Sequence, residues 1–503
     1  MKYKNLIPTT SLFYLLAGVL IAIRFFIVVT HFNFILTDND QALFWYGCHN
    51  FSKGLYYTPF IYGCDYGSML ESFMALPFYK FGMPLYYALP FSNTFWIFIL
   101  CAILGYNLNL FHPKHHTGSL FLLFLTLLPT DYYAILFAAK GHLAGILPVL
   151  VSLILVTRWK TKPILILAGL LAGLGFLLNP NSVFVILLLF LFIPNLKSIL
   201  FAMAGMASSL FYLVITSHYA QILDSELLHK QWKLTFVMSF FKNHIPYLDK
   251  YLNTVTPIFG KMGFISLLLP LILAIVLFSK KDWIKGSVAL LFVFMLLASF
   301  GFSKVSDGSV DLFFPYCRFY LALAFCNALF IPLLFQSLQV NNYYKILMTI
   351  PFIISVYFIS KTPVQATALA HKPGETYAVQ RKFVADIVSH TYWMKQRINE
   401  TKQTRPMIVA TDYIYYSENL LLSTMDLPHV TCCFENYKQF YWLANAMKNK
   451  KQSYDLFIIL SFEDRFARKS IQYPQYLHRD NVANYFLIPN VRQPARFIDD
   501  FLR

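Results

Sequence analysis

Long apolar runs alternate with short polar turns from the first residues to about position 360, and then the pattern changes. The first run, residues 11–30, has about the length that a helix needs to cross ~30 Å of hydrocarbon. Two lysines precede it and no small-residue cleavage site follows, which predicts a retained span rather than a removed signal peptide. Further spans are predicted over 84–106, 117–130, 142–157, 163–178, 182–193, 198–216, 262–278, 284–302, 319–335 and 346–360. That makes about eleven, several shorter than the ideal length. Between the first two spans lies a stretch, 36–81, that is too polar and Tyr-rich for a span and too apolar for a free linker.

From residue 361 the chain returns to the mixed composition of a soluble domain. Residues 377–402 carry Val379, Phe383 and Ile387 at helical spacing. Short apolar runs at 407–410, 456–460 and 485–488 read as strands, with a helical stretch near 437–448 among them. Strands alternating with helices predict a small α/β domain. No G-x-G-x-x-G or P-loop sequence occurs in it, which argues against soluble nucleotide chemistry there. The predicted architecture is a mostly helical, polytopic membrane bundle over 1–361 with a large first external loop, 31–83, followed by an extracytoplasmic α/β domain, 362–503.

Composition supports this division: hydrophobic residues make up 57% of the chain and charged residues 13%, where a soluble domain carries roughly 25% charge. The formal net charge of +17 does not point to nucleic acid, because the lysines and arginines sit in short groups between apolar runs. Placing the N-terminus in the cytoplasm puts HPKHH (112–116), RWKTK (158–162), Lys197, KKDWIK (280–285) and Lys345 on the inner side, as the positive-inside rule requires. The outer side then receives the first loop, 130–142, 217–261, 303–318 and the tail. The seven cysteines form no C-x-x-C pair. Cys48 and Cys64 share the first loop, where a bridge in an oxidising compartment and two free thiols are both open.

Asp38 and Asp40 stand where the first span ends and an aromatic stretch begins. One reading is local: Asp38 caps a helix, Gln41 completes a capping-box pattern, and Asp40 suits the helix dipole. The other is chemical: a carboxylate at a membrane surface takes a proton from an attacking hydroxyl or amine, or the pair holds a divalent metal ion. Arg24, inside the first span, either snorkels to the interface or meets a lipid phosphate within the bundle. Lys140, Arg318 and His142 are the remaining candidates for a phosphate. Lys140 also suits snorkelling, and Arg318 also suits pairing with Asp307 or Asp311. Asp131 caps a helix or serves as a second acid. Glu71 is either buried and paired or in contact with substrate or metal. His49, His229 and His244 are too scattered for a metal site.

The sequence DNDQALFWYGCHNFSKG, followed by YYTPFIYGCDYGSMLESFMALPFYKFG, resembles the first external loop of bacterial membrane glycosyltransferases of the GT-C fold. These are distant relatives of the protein O-mannosyltransferases and the lipid A aminoarabinose transferase. Asp40 matches the family acid, Gln41 replaces a Glu, and Tyr62, Gly63, Gly67, Ser68 and Glu71 match the later part. GLLAGLGFLLNPNSVF (169–184) and Arg318-Phe319-Tyr320 are also similar to the group. The resemblance implies transfer of a sugar, with inversion, from a polyprenyl-phosphate carrier to a lipid, glycan or protein acceptor on the outer face of a bacterial plasma membrane. It implies Asp40 as general base with Asp38 beside it, and substrate contacts from Lys140, His142, Arg318, Glu71, Tyr62, Tyr66, Asp131 and Arg24. Gln41 departs from the pattern, since an amide neither acts as a base nor binds a cation as Glu does.

Two rival classes are a carrier of lipid-linked sugars and an inactive scaffold, the first weakened because no internal repeat is visible. Topology offers the first test. Phosphatase fusions after residue 361 are expected to be active outside the cytoplasm and fusions at residue 160 inactive; the reverse pattern would invert the orientation.

Overall fold

The computed structural model describes residues 7–62, 67–111, 116–222, 235–257, 262–306, 316–339, 344–372, 381–401, 405–425, 427, 429–434, 453–460 and 463–502. It divides into two compact units. One comprises Met1–Asn33, Pro90–Ile215 and Trp232–Thr376, the other Phe34–Leu89, Thr216–Gln231 and Tyr377–Arg503.

The first unit is helical. Among the described residues, four helical stretches are long and apolar enough to cross a membrane: Leu12–Asn33, Leu85–Leu110, Leu196–His218 and Ile346–Ala370. The first of these is helix α1 (Ile7–Val28) running on through a π-helical turn, Val29–Asn33. Shorter apolar helices occupy other predicted spans, among them Ile265–Ser279, Trp283–Ser299 and Leu323–Ser337. Large apolar side chains point outward from these helices, including Leu15, Phe26, Val214, Ile275 and Phe294. Water would make such a surface costly, whereas lipid does not. This is a membrane protein.

Two predicted spans take a different form. The run at 117–130 is not one span ending in a loop: α5 (Thr117–Thr126) and α6 (Thr130–Phe137) meet at a 93° bend. Pro129 lies at the break with extended backbone, ψ 152°; it lacks an N–H and disfavours a helical residue before it. The expected outer loop at 130–142 therefore begins as a helix. The run at 182–193 is a chain of short pieces, Pro180–Ser182, Val183–Leu189 and Phe190–Phe192.

Helix α7 (Leu143–Arg158) and helix α8 (Lys162–Leu178) follow, and α8 packs closely on Leu196–Ser208. A Cβ on Gly169 would fall on the Ala202 carbonyl, and one on Gly205 on the Ile166 carbonyl. Small residues at a helix crossing let backbones touch where lipid supplies no hydrophobic drive for association.

The second unit joins the first loop to the tail. Its main sheet has the order β4-β3-β5-β7-β6, with β3 (Met407–Thr411), β4 (Val430–Phe434), β5 (Tyr454–Ile459), β6 (Leu477–His478) and β7 (Tyr485–Val491). β3 pairs in parallel with β4 and β5, while β7 runs antiparallel to β5 and β6. Alternation along the strands separates two cores. Ile408, Leu456 and Ile458 face Ile498 and Phe501 on one side, and Val409, Phe457 and Ile459 face Trp393 and Met394 on the other. The α/β domain is present, with differences of detail. The helix expected from 377 runs Val384–Glu400, because residues 381–383 pair as a strand instead. The helix expected near 437–448 lies outside the described residues.

A second ladder is short. β1 (Leu36–Asp38) pairs antiparallel with β2 (Arg381–Phe383), Leu36 opposite Phe383 and Asp38 opposite Arg381. The Val384 N–H extends it by donating to the Ile35 carbonyl at 2.8 Å.

The close helix crossing gives a stability test. Gly169→Leu is expected to cost about 1–3 kcal/mol and lower the unfolding temperature in detergent. Gly18→Ala, on α1 with open space around it, should leave that temperature unchanged. Equal melting of both variants would refute the close packing.

Candidate functional site

In the second unit, β1 leads directly into helix α2 (Asn39–Ser52), with Asp38 as its N-cap. Asp38 is buried, and its Oδ1 accepts the Gln41 N–H at 3.1 Å. The capping reading of Asp38 therefore holds. Asp40, two residues on, lies in the first turn and is only half-buried. The two carboxylates thus differ in setting: one is buried at the helix cap, and the other is half-buried in the first turn. Gln41 is buried, and its Nε2 has no hydrogen-bond partner among the described residues.

The helix start is also held by residues that sequence reasoning missed. The Ser417 hydroxyl donates to Asn39 Oδ1 at 2.7 Å, with both residues buried. Beside Ser417, Glu418 receives two hydrogen bonds from Lys382 Nζ, each 2.6 Å long. That ammonium also donates to the Ile414 carbonyl and lies 5.3 Å from the centre of the Tyr415 ring. Glu418 is 1% exposed, and burial pulls the Lys382 ammonium below the ordinary lysine value while Glu418 pulls it back up. Nothing local in the sequence signals this pair, because its members are brought together only by the β1–β2 ladder and the packing of Tyr416–Leu422 against α2.

Helix α3 (Leu70–Lys80) packs on α2 through small groups. The Ser72 hydroxyl donates to the Phe44 carbonyl at 2.8 Å, and Gly47 leaves room for Met69 and Ser72. Asn50 Nδ2 donates to the Tyr62 hydroxyl at 3.3 Å, and His49 Nδ1 lies 3.0 Å from the Tyr79 hydroxyl. Tyr62 is buried, as is Glu71, which lies in the first turn of α3, where the helix dipole favours a carboxylate. Tyr66 lies outside the described residues. Cys48 is a buried free thiol, pushed up to about 12 by burial, and Cys64 lies outside the described residues.

In the first unit, Arg24 does not snorkel. It is fully buried, with Nη2 donating to the Leu128 carbonyl at 2.5 Å and its guanidinium 5.4 Å from the centre of the Tyr133 ring and 5.5 Å from that of Phe358. Asp131 lies within electrostatic reach of it. Asp131 Oδ1 also accepts the Tyr132 N–H at 3.1 Å in the first turn of α6. The charge of Asp131 thus acts on Arg24 from another helix of the same unit. Nε and Nη1 of Arg24 have no hydrogen-bond partner among the described residues.

Lys140 lies two residues before His142, and Arg318, distant in sequence, is near enough for its charge, like that of Lys140, to bear on the His142 ring. The backbone here is tied down from α8's end. Asn179 Nδ2 donates to the Gly141 carbonyl at 3.0 Å and Asn181 Nδ2 to the His142 carbonyl at 3.2 Å. His142 Nε2 and Asn181 Oδ1 are buried and have no partner among the described residues. Two cations beside an imidazole with an unsatisfied nitrogen are suited to an anion. Asp307 and Asp311 lie outside the described residues.

Among the described residues no group of three His, Cys, Asp or Glu side chains is arranged to hold a metal ion. Asp38 Oδ1 accepts the Gln41 N–H as part of the helix cap.

The Lys382–Glu418 pair is testable. Lys382→Met leaves a buried carboxylate without its main partner and is expected to destabilise the protein by about 3–5 kcal/mol, while adding Glu418→Leu recovers most of that loss. A neutral single variant would show that the pair does not hold the helix start.

No protein-family model matches the chain, and no curated protein matches its sequence. The structure is similar to the crystal structure of ArnT from Cupriavidus metallidurans in the apo state, at 10% identity, covering 95% of this chain and 97% of that one, with a TM-score of 0.47.

Proposed function

We infer that the protein is a membrane glycosyltransferase that moves a sugar from a polyprenyl-phosphate carrier to an acceptor on the outer face of a bacterial plasma membrane. The observation that carries this reading is the buried Nε2 of His142, unpartnered among the described residues, on a ring that feels the charges of Lys140 and Arg318. A cationic group within an apolar helical unit suits a phosphate presented from the bilayer, and the first-loop sequence around Asp40 suits glycosyl transfer from such a carrier.

In this reading Asp40 takes the proton from the acceptor hydroxyl or amine as that atom attacks the anomeric carbon. The new bond forms on the face opposite the carrier, so configuration inverts. The bond from the anomeric carbon to the phosphate oxygen breaks, and its electron pair stays on the phosphate. That leaving group needs positive charge rather than an acid, which Lys140 and Arg318 supply, with His142 as hydrogen-bond donor. Arg24 and Asp131 are further substrate contacts in this reading, and Glu71 and Tyr62 shape the first loop.

The test is transfer from polyprenyl-phosphate-linked sugars by purified protein. Asp40→Asn is expected to lower turnover by about 10²–10⁴-fold with the unfolding temperature unchanged, and Lys140→Ala to raise KM for the donor. Normal turnover by Asp40→Asn would remove the base assignment. Donor that is bound or moved across the bilayer without being consumed would make the protein a carrier.

A further inference from the structure

A cavity of about 330 Å³ opens in the first unit among the ends of α7, Ile265–Ser279 and Leu323–Ser337. Lys160, Lys280 and Lys285 line it with a single carboxylate, Asp282, while Leu273, Leu277 and Leu333 make an apolar floor. We propose that this cavity binds the headgroup of an anionic phospholipid, with the phosphate among the lysines and the acyl chains along the apolar wall.

The lysines are held in position by hydrogen bonds to carbonyls and by one ion pair. Lys160 Nζ donates to the Phe192 carbonyl at 2.6 Å and also to the Val156 carbonyl, and Lys280 Nζ donates to the Ser337 carbonyl. Carbonyl oxygens at helix C-termini fix an ammonium without neutralising it. Asp282 Oδ2 lies 3.0 Å from Lys285 Nζ, and its Oδ1 accepts the Lys285 N–H at the start of Trp283–Ser299. Lys285 also lies close enough for its charge to oppose that of Lys160. Helix capping accounts for each anchor taken singly. It does not account for three ammonium groups gathered with one carboxylate around one cavity, a net positive lining among the described residues that favours an anion.

The level of the cavity points to a lipid rather than a soluble anion. Trp159 and Trp283, in the same two turns as Lys160 and Lys285, are 48% and 65% exposed, and indole rings favour the membrane–water interface. The positive-inside rule assigns both turns to the cytoplasmic leaflet, where anionic lipids are found and basic pockets between helices take their headgroups. A cavity with a charged rim and an apolar floor matches a molecule with both parts.

The experiment uses the full-length protein in detergent, titrated with phosphatidylglycerol or phosphatidylcholine and read by native mass spectrometry and thermal unfolding. Phosphatidylglycerol is expected to remain bound and to raise the unfolding temperature, phosphatidylcholine to do neither, and added salt to weaken the effect. Lys280→Gln with Lys285→Gln should weaken phosphatidylglycerol binding at least about tenfold, whereas Lys280→Arg with Lys285→Arg should preserve it. Equal binding of the two lipids, or unchanged binding by the Gln variant, would overturn the proposal. Displacement of phosphatidylglycerol by inorganic phosphate would overturn it in favour of a free-anion site. Should the Gln variant fail to fold, the lipid comparison and phosphate competition on the wild-type protein still decide.

Discussion

The second unit depends on a ladder of three residue pairs. β1 and β2 come from positions 36–38 and 381–383, so nothing but tertiary structure brings them together. Because Asp38 ends β1 and caps α2, the ladder sets where α2 begins and which way its first turn faces. The Lys382–Glu418 contact and the Ser417–Asn39 hydrogen bond then hold the start of the helix from the other strand and from the helix that follows β3. Asp40 lies in the first turn of α2. Such a buried ion pair gains little net stability over apolar residues of similar size; its effect here is to fix one arrangement.

A different constraint governs the first unit. Polar groups placed among apolar helices are costly unless another group satisfies them. Many have found a carbonyl: Asn33 Nδ2 donates to Ala134, Ser152 to Ala168, and Asn327 Nδ2 to Val255. Arg24 is satisfied in part, through Leu128, two aromatic rings and the charge of Asp131. At His142 and Asn181 the His142 carbonyl and the Asn181 amide nitrogen are used, yet His142 Nε2 and Asn181 Oδ1 have no hydrogen-bond partner among the described residues. Buried polar groups left over beside two cations are where a polar ligand gains most, because its arrival removes a standing cost.

The lysines at the ends of the apolar helices follow a related logic. A lysine near a helix C-terminus binds the last carbonyls and favours the negative end of the dipole, which is ordinary local chemistry for Lys160 and Lys280. Gathering Lys160, Lys280 and Lys285 around one cavity is a property of packing, and it turns three unremarkable caps into a charged recess beside exposed tryptophans.

What the sequence by itself determined is whatever rests on local periodicity: the apolar helices, a sheet-containing tail with three of its strands, and the Asp38 cap, whereas the last apolar helix runs on to Ala370, past the boundary expected at 361. Hydrophobic pattern and capping act within a few residues, so they can be read along the chain. Tertiary structure decided the rest. It turned residues 381–383 from an expected helix into a strand, since pairing with 36–38 outweighs a weak helical preference. It broke the 117–130 span at Pro129 and placed Arg24 in the interior, where a partner on another helix replaces snorkelling. It also brought Arg318 near enough for its charge to reach His142 and joined Lys382 to Glu418. The energy of these contacts lies between residues far apart in the chain, and no window of sequence contains both partners.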